Sequence, residues 1–168
     1  LCRAYYSASV RDFLDATPAA VLGTLTSNSD FAIVQAQRDA WVEEIALLRS
    51  ALVGLPGTLF LEYNIPRLGR RVDAVLVSGA VVFVIEFKVG ESAFDRSAVN
   101  QVWDYALDLK NFHQGSHGAS IVPILIATEV SESTPWELKA DEDQVYRPIS
   151  ACPSGLREVI DRTLRTIA

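Results

Sequence analysis

The stretch from Arg71 to Gly90, R-V-D-A-V-L-V-S-G-A-V-V-F-V-I-E-F-K-V-G, leaves the chain few ways to fold. It reads as two strands joined at Ser78–Gly79, the first ending its pairing at Val77 and the second starting at Ala80. Val, Ile, Leu and Phe fill both strands with almost no polar alternation, the pattern of strands covered on both faces. Into this apolar hairpin the sequence sets three ionisable groups, Asp73, Glu86 and Lys88. Charges in such a setting are costly unless they are paired, hydrated or bound to a metal.

Side chains alternate along a strand, so Glu86 and Lys88 project from the same side. Asp73 lies near the start of the first strand and Glu86 near the end of the second. In an antiparallel hairpin those ends are neighbours, and both carboxylates meet at one edge of the sheet. Two carboxylates and an ammonium suit a hard divalent cation such as Mg²⁺, with a nearby water. The lysine would orient or help deprotonate that water, or hold a phosphate oxygen as a point charge. Taken alone, E-x-K reads as a solvated strand end or an ion pair. The lone Asp in an apolar strand, the short hairpin and the shared face of Glu86 and Lys88 together favour a site.

Length and charge bound what such a site could serve. The 168 residues suffice for one substantial core, and no apolar run approaches the ~20 residues of a membrane span. Without the layout of a signal peptide, and with two distant cysteines, Cys2 and Cys152, the expectation is a cytoplasmic protein, a disulfide being left open. The net charge of −6 argues against a broad nonspecific nucleic-acid surface. A local basic patch is compatible with it, since Arg67, Arg70, Arg71, Lys88 and Arg96 cluster around the hairpin.

Ahead of the hairpin, Ser9 is expected to cap a helix carrying Val10, Phe13 and Leu14, and Thr17-Pro18 to start a second with Val21, Leu22 and Leu25. Residues 1–34 thus read as a helical segment packed on a core formed by residues 35–168. The clearest helix runs from Gln35 to Val53, with Trp41, Ile45, Leu48 and Leu52 at helical spacing and Gly54, Pro56 and Gly57 ending it. Glu44 sits on the edge of that stripe; it reads first as a boundary charge facing water, the alternative being a third acid reaching the metal site. Thr58 to Tyr63 is expected as a strand whose Glu62 is a strand-face charge, with a role beside Asp73 secondary. After Gly90 a helix from about Ser97 to Phe112 places Gln101 and Tyr105 on one face. His113 and His117 fall in a loop without companion ligands, a poor zinc site. Ile121 to Thr128 reads as a buried strand, Gln144 to Tyr146 as an edge strand and Pro153 as the start of a terminal helix.

The order gives an αβββαβ core. Val72-Asp73, twelve intervening residues, Glu86-Phe87-Lys88, and then Gln101-x-x-x-Tyr105 on the next helix resemble the PD-(D/E)XK nuclease superfamily, its RecB-like branch in particular. The segments A-Y-Y-S-A-S, L-E-Y-N-I-P-R-L-G-R-R-V-D, V-I-E-F-K-V-G-E-S-A-F and Q-V-W-D-Y-A-L-D-L-K-N-F-H are similar to the N-terminal nuclease-like domain of bacterial Schlafen-like DNA/RNA helicases. The resemblance implies a three-layer α/β/α restriction-endonuclease-like fold with a mixed sheet. It implies Asp73 and Glu86 as ligands of Mg²⁺ or Mn²⁺, the Phe87 carbonyl as a further ligand, and Lys88 as the group that activates water. Gln101 and Tyr105 would support the site, and Glu44 would be the helix acid. The motif's proline is Val72 here, a position without a chemical role. The implied partners are nucleic acid, DNA foremost, and a helicase domain in the full-length chain, since no G-x-x-x-x-G-K-[ST] loop lies within these residues; a homodimer stays open. The expected activity is metal-dependent phosphodiester hydrolysis, the alternative being an inactive nuclease-like domain that binds nucleic acid or a partner protein.

Overall fold

A computed structural model describes residues 3–167 of the chain. Six strands form one mixed sheet in the order β1-β2-β3-β4-β5-β6: Ala4–Ser9, Thr58–Ile65, Arg70–Ser78, Val81–Lys88, Ser120–Ala127 and Ile149–Ala151. β1 to β4 pair antiparallel, whereas β4–β5 and β5–β6 are parallel. The parallel step from β4 to β5 needs a crossover, which α4 (Arg96–Phe112) supplies. Four further helices, α1 (Val10–Asp15), α2 (Pro18–Asn28), α3 (Gln35–Ala51) and α5 (Leu156–Ile167), complete an α/β architecture.

The helices divide between the two faces. Val102, Tyr105, Ala106 and Leu109 of α4 pack with Val75, Val82, Val84 and Leu125 of the sheet. Residues from α1, α2, α3 and α5 pack on the opposite face against Leu59, Leu76, Phe83, Ile85 and Ile124. The apolar runs in β4 and β5 follow from this double cover: seven of eight residues in each are buried.

Local capping matches the sequence where the signals were chemical. The Ser9 hydroxyl accepts from Asp12 N–H at 3.0 Å and Thr17 accepts from Ala20 N–H at 3.1 Å, with Pro18 at the first helical position. Three expectations need correction. Ala4–Ser9 is a strand beside β2, so the segment 1–34 is not wholly helical. Pairing of the hairpin continues to Ser78↔Val81, which moves the two-residue turn to Gly79–Ala80, Gly79 taking φ 59°. The sixth strand is Ile149–Ala151 rather than Gln144–Tyr146, because Gln144 has φ 64° and Val145 forms an isolated bridge to Ile121. Cys152 is a buried free thiol, and Cys2 lies outside the described residues.

Gly57 joins α3 to β2 and fixes how closely that helix's loop approaches the hairpin. Its φ is 134°, its carbonyl accepts from Val10 N–H at 2.9 Å, and a Cβ there would run into the Val77 carbonyl oxygen. Gly57→Ala therefore adds a disfavoured backbone conformation to a steric clash, each worth about 1–3 kcal/mol. The expected outcome is a denaturation midpoint lowered by roughly 2–4 kcal/mol of stability with the slope unchanged. A midpoint equal to wild type would show that the loop can relax away from β3.

Candidate functional site: a buried carboxylate cluster

The β3–β4 ladder stops at Ala74↔Ile85. Beyond it, side chains replace backbone pairing. Asp73 N–H donates to Glu86 Oε2 at 3.3 Å, and Phe87 N–H donates to Asp73 Oδ2 at 2.7 Å. Each carboxylate thus takes an amide that the sheet would otherwise use, and each is fixed to the other's strand. The N–H and C=O of one strand residue face the same neighbour, so the Phe87 carbonyl is on the Asp73 side.

The partner ladder breaks at the same level. β2 and β3 pair at Leu61↔Ala74 and Tyr63↔Val72 but not at the facing positions Glu62 and Asp73, and Glu62 has φ 53°. The kink reverses which face each strand presents. Leu61 and Ala74 pack in the layer under α3, whereas Tyr63 and Val72 pack in the layer under α4. Acids from both layers can therefore converge. Carboxyl oxygens of Glu44, Glu62 and Asp73 lie within 4.8 Å of one another.

Glu44 is buried at 7% exposure, so its reading as a boundary charge facing water is wrong. It packs inward because α3 presents Trp41, Ile45 and Leu48 around it to the sheet. Glu62, expected as a strand-face charge, belongs to the cluster and accepts from the Trp41 indole N–H at 2.9 Å. The left-handed turn that re-aims it leaves no mark in the one-letter sequence.

Lys88 is the cation of this group. Its Nζ donates to Gln101 Oε1 at 2.8 Å and lies 3.8 Å from Glu86 Oε1. Gln101 thus reaches the lysine from α4, as the shared face of that helix and β4 allows. Tyr105 is buried nearby, but its hydroxyl meets Arg70 rather than Lys88. Burial, and then the Glu86 carboxylate, push that hydroxyl up to about 12.

Of the five basic residues near the hairpin, Arg67 pairs with Asp108 at 3.6 Å and stacks over Phe112. Arg71 is held by Asp30, the Glu62 carbonyl and the Tyr5 ring. Arg70 and Lys88 line a cleft of about 420 Å³ with Glu91, Asp95 and Gln101. A second cleft, of about 520 Å³, approaches from the other side past Trp41, Glu62, Arg70 and Phe31. Lys88 thus lines the first cleft and Glu62 the second, and Arg70 stands at each.

Burial raises the proton affinity of all the acids. Glu44 and Asp73 are held well above the usual carboxylate range, by desolvation first and then by the other carboxylates. Desolvation also raises Glu62. Glu86 rises to about 7, less than burial alone would impose because Lys88 and the Asp73 N–H favour its charged form. Oxygen donors crowded together with excess negative charge fit a hard divalent cation. His113, by contrast, hydrogen-bonds Ser116 and contacts Tyr63 away from the cluster. Comparison with protein-family models, curated proteins and solved structures finds no match for the chain.

A pH dependence follows. With a folded value of about 7 against an ordinary 4.5, Glu86 binds more proton in the folded state than in the unfolded one between those values. Its contribution is present in full below about pH 4.5 and is lost as pH rises through about 7. Urea midpoints in a chelator, taken from pH 4.5 to 8, should therefore fall more steeply for wild type than for Glu86→Gln. Parallel profiles would mean that Glu86 titrates as in the unfolded chain.

Proposed function

We propose that the chain is a metal-dependent nuclease domain that hydrolyses phosphodiester bonds, DNA foremost, with the restriction-endonuclease-like fold of the PD-(D/E)XK superfamily. The observation that carries the reading is the convergence of Asp73, Glu86 and Lys88, from two strands, at one point beside a cleft that Lys88 lines. The order α3-β2-β3-β4-α4-β5 supports it, as does the helix acid Glu44 beside Asp73.

Asp73 and Glu86, with the Phe87 carbonyl, would hold Mg²⁺ or Mn²⁺, and the excess of carboxylate over ammonium in the cluster fits such an ion. Bound there, the cation supplies charge neutralisation at phosphate and lowers the pKa of water. The chain's own residues supply the positioning. Lys88 is held by Gln101 on one side and Glu86 on the other, which leaves its ammonium at the cleft wall to orient the attacking water or a phosphate oxygen. Arg70, carried by Tyr105, would steady the phosphate from the opposite wall. A helicase module in a longer chain is part of the same proposal.

Labelled single- and double-stranded DNA and RNA, incubated with Mn²⁺ or Mg²⁺, test the reading directly. Lys88→Ala should reduce cleavage by about 10²–10⁴-fold while Mn²⁺ still binds. Undiminished cleavage in that variant removes Lys88 from the reaction. Mn²⁺ binding without cleavage of any of these substrates by wild type assigns the domain to binding instead.

A further inference from the structure

One aromatic ring is held out of the core beside the site. Phe31 is 81% exposed, the most of any large hydrophobic residue among those described, and belongs to the loop 29–34 between α2 and α3. The loop is tied down on both sides of it. Asp30 Oδ2 lies 3.6 Å from Arg71 Nη2, and Asp30 N–H donates to the Tyr5 hydroxyl at 3.3 Å. Asn28 Nδ2 donates to the Tyr5 carbonyl at 2.7 Å, and Ile33 packs against the core. The ring is therefore presented at a defined place.

That place is the wall of the 520 Å³ cleft, which Arg70 and Glu62 also line. Arg70 lines the 420 Å³ cleft of Lys88 as well, so it is common to both. Its guanidinium enters no ion pair among the described residues and meets the neutral Tyr105 hydroxyl instead. Its charge is left for an anion from outside, and a phosphate suits the guanidinium fork. The order along the two clefts is then an exposed ring, an unpaired cation and the Lys88 ammonium.

The ring sets the class of ligand. Every nucleobase offers a π-face to an aromatic side chain, but only a base whose own face is free can be stacked upon. Inside a duplex those faces are taken by neighbouring bases. Gln37 and Asn64 carry side-chain amides into the same cleft, where they can donate to and accept from a base edge.

We propose that Phe31 is a stacking platform for an unpaired nucleobase, next to a phosphate held by Arg70, so that the domain acts on single-stranded rather than fully paired nucleic acid. The inference rests on the hydrolytic reading above and names its substrate class. A second copy of the chain is the other occupant that Phe31 and Val34, 66% exposed, could meet. Such a contact has no use for the unpaired cation in the same cleft, which favours the nucleotide strand.

Fluorescence anisotropy tests this with a short labelled single strand and the matching duplex, Ca²⁺ replacing Mn²⁺. Wild type should prefer the single strand. Phe31→Ala should weaken single-strand binding by about 5- to 150-fold, the loss of one stacked base. Phe31→Leu, apolar but without a π-face, should fall with Phe31→Ala, whereas Phe31→Trp should bind as wild type does. Duplex binding should be the same in all four proteins. Rescue by Trp but not Leu separates a lost stack from a lost fold. Wild-type affinity in Phe31→Leu, an equal loss for both nucleic acids, or a wild-type preference for duplex overturns the stacking role. A wild-type dimer that Phe31→Ala dissociates, seen by light scattering, gives the ring to a second copy and overturns it too. In each of these cases Mn²⁺-dependent cleavage by wild type keeps the hydrolytic reading. Wild type that neither binds nor cleaves either nucleic acid overturns both.

Discussion

The reciprocal bonds between Asp73 and the end of β4 decide the rest of the site. Were the β3–β4 ladder continued, the amides of Asp73 and Phe87 would face backbone carbonyls and the carboxylates would be free to turn to water. Instead each amide is committed to an acid, with Phe87 N–H 2.7 Å from Asp73 and Asp73 N–H 3.3 Å from Glu86. The sheet opens where it would otherwise close, and the opening is lined by oxygen. Amide donors to a carboxylate partly offset its desolvation, which makes the arrangement tolerable in a buried place.

They offset it only in part. Neighbouring carboxylates raise the proton affinity of Glu44, Asp73 and Glu86, and among the described residues Lys88 is the one ammonium paired directly with any of the acids. Desolvation leads for every acid, followed by repulsion from other carboxylates at Glu44 and Asp73 and by the offsetting partners Trp41 at Glu62 and Lys88 at Glu86. A fold optimised for stability alone would replace such a cluster with apolar residues, a change often neutral or favourable for buried charges. The cluster is therefore kept at a cost in stability.

How much of this could be read in the sequence depended on whether the signal was periodic. Glu86 and Lys88 share a face because strands alternate, and Gln101 meets Lys88 because α4 covers that face; both were legible. Glu44 was not legible, since a residue at the edge of an amphipathic stripe faces water or the core according to what packs there, and a helix alone cannot say. Glu62 reads as a strand-face charge under unbroken alternation, and a left-handed residue in mid-strand breaks that alternation without any glycine to announce it. β1 was hidden because Ala4–Ser9 is polar, aromatic and short, and it becomes a strand only by pairing with β2. The shift of the hairpin turn by one residue had a similar cause, Ser78 and Ala80 being equally acceptable at a two-residue loop.

The kink at Glu62 and Asp73 also explains why the site sits where it does along the sheet. A regular strand sends alternate residues to opposite layers, so an acid on α3 and an amide on α4 would be kept apart by the thickness of the sheet. Reversal of facing in β2 and β3 at one level lets residues of both layers reach the same point. Glu44 arrives from the layer of Trp41 and Ile45, while Gln101 and Tyr105 arrive from the layer of Val102 and Ala106. Two local irregularities, one per strand, therefore do what no regular sheet could: they join both helical layers at a single cluster. Removing either irregularity would leave the same residues in the chain but on opposite sides of β3, with Lys88 and Glu44 no longer gathered at one cluster.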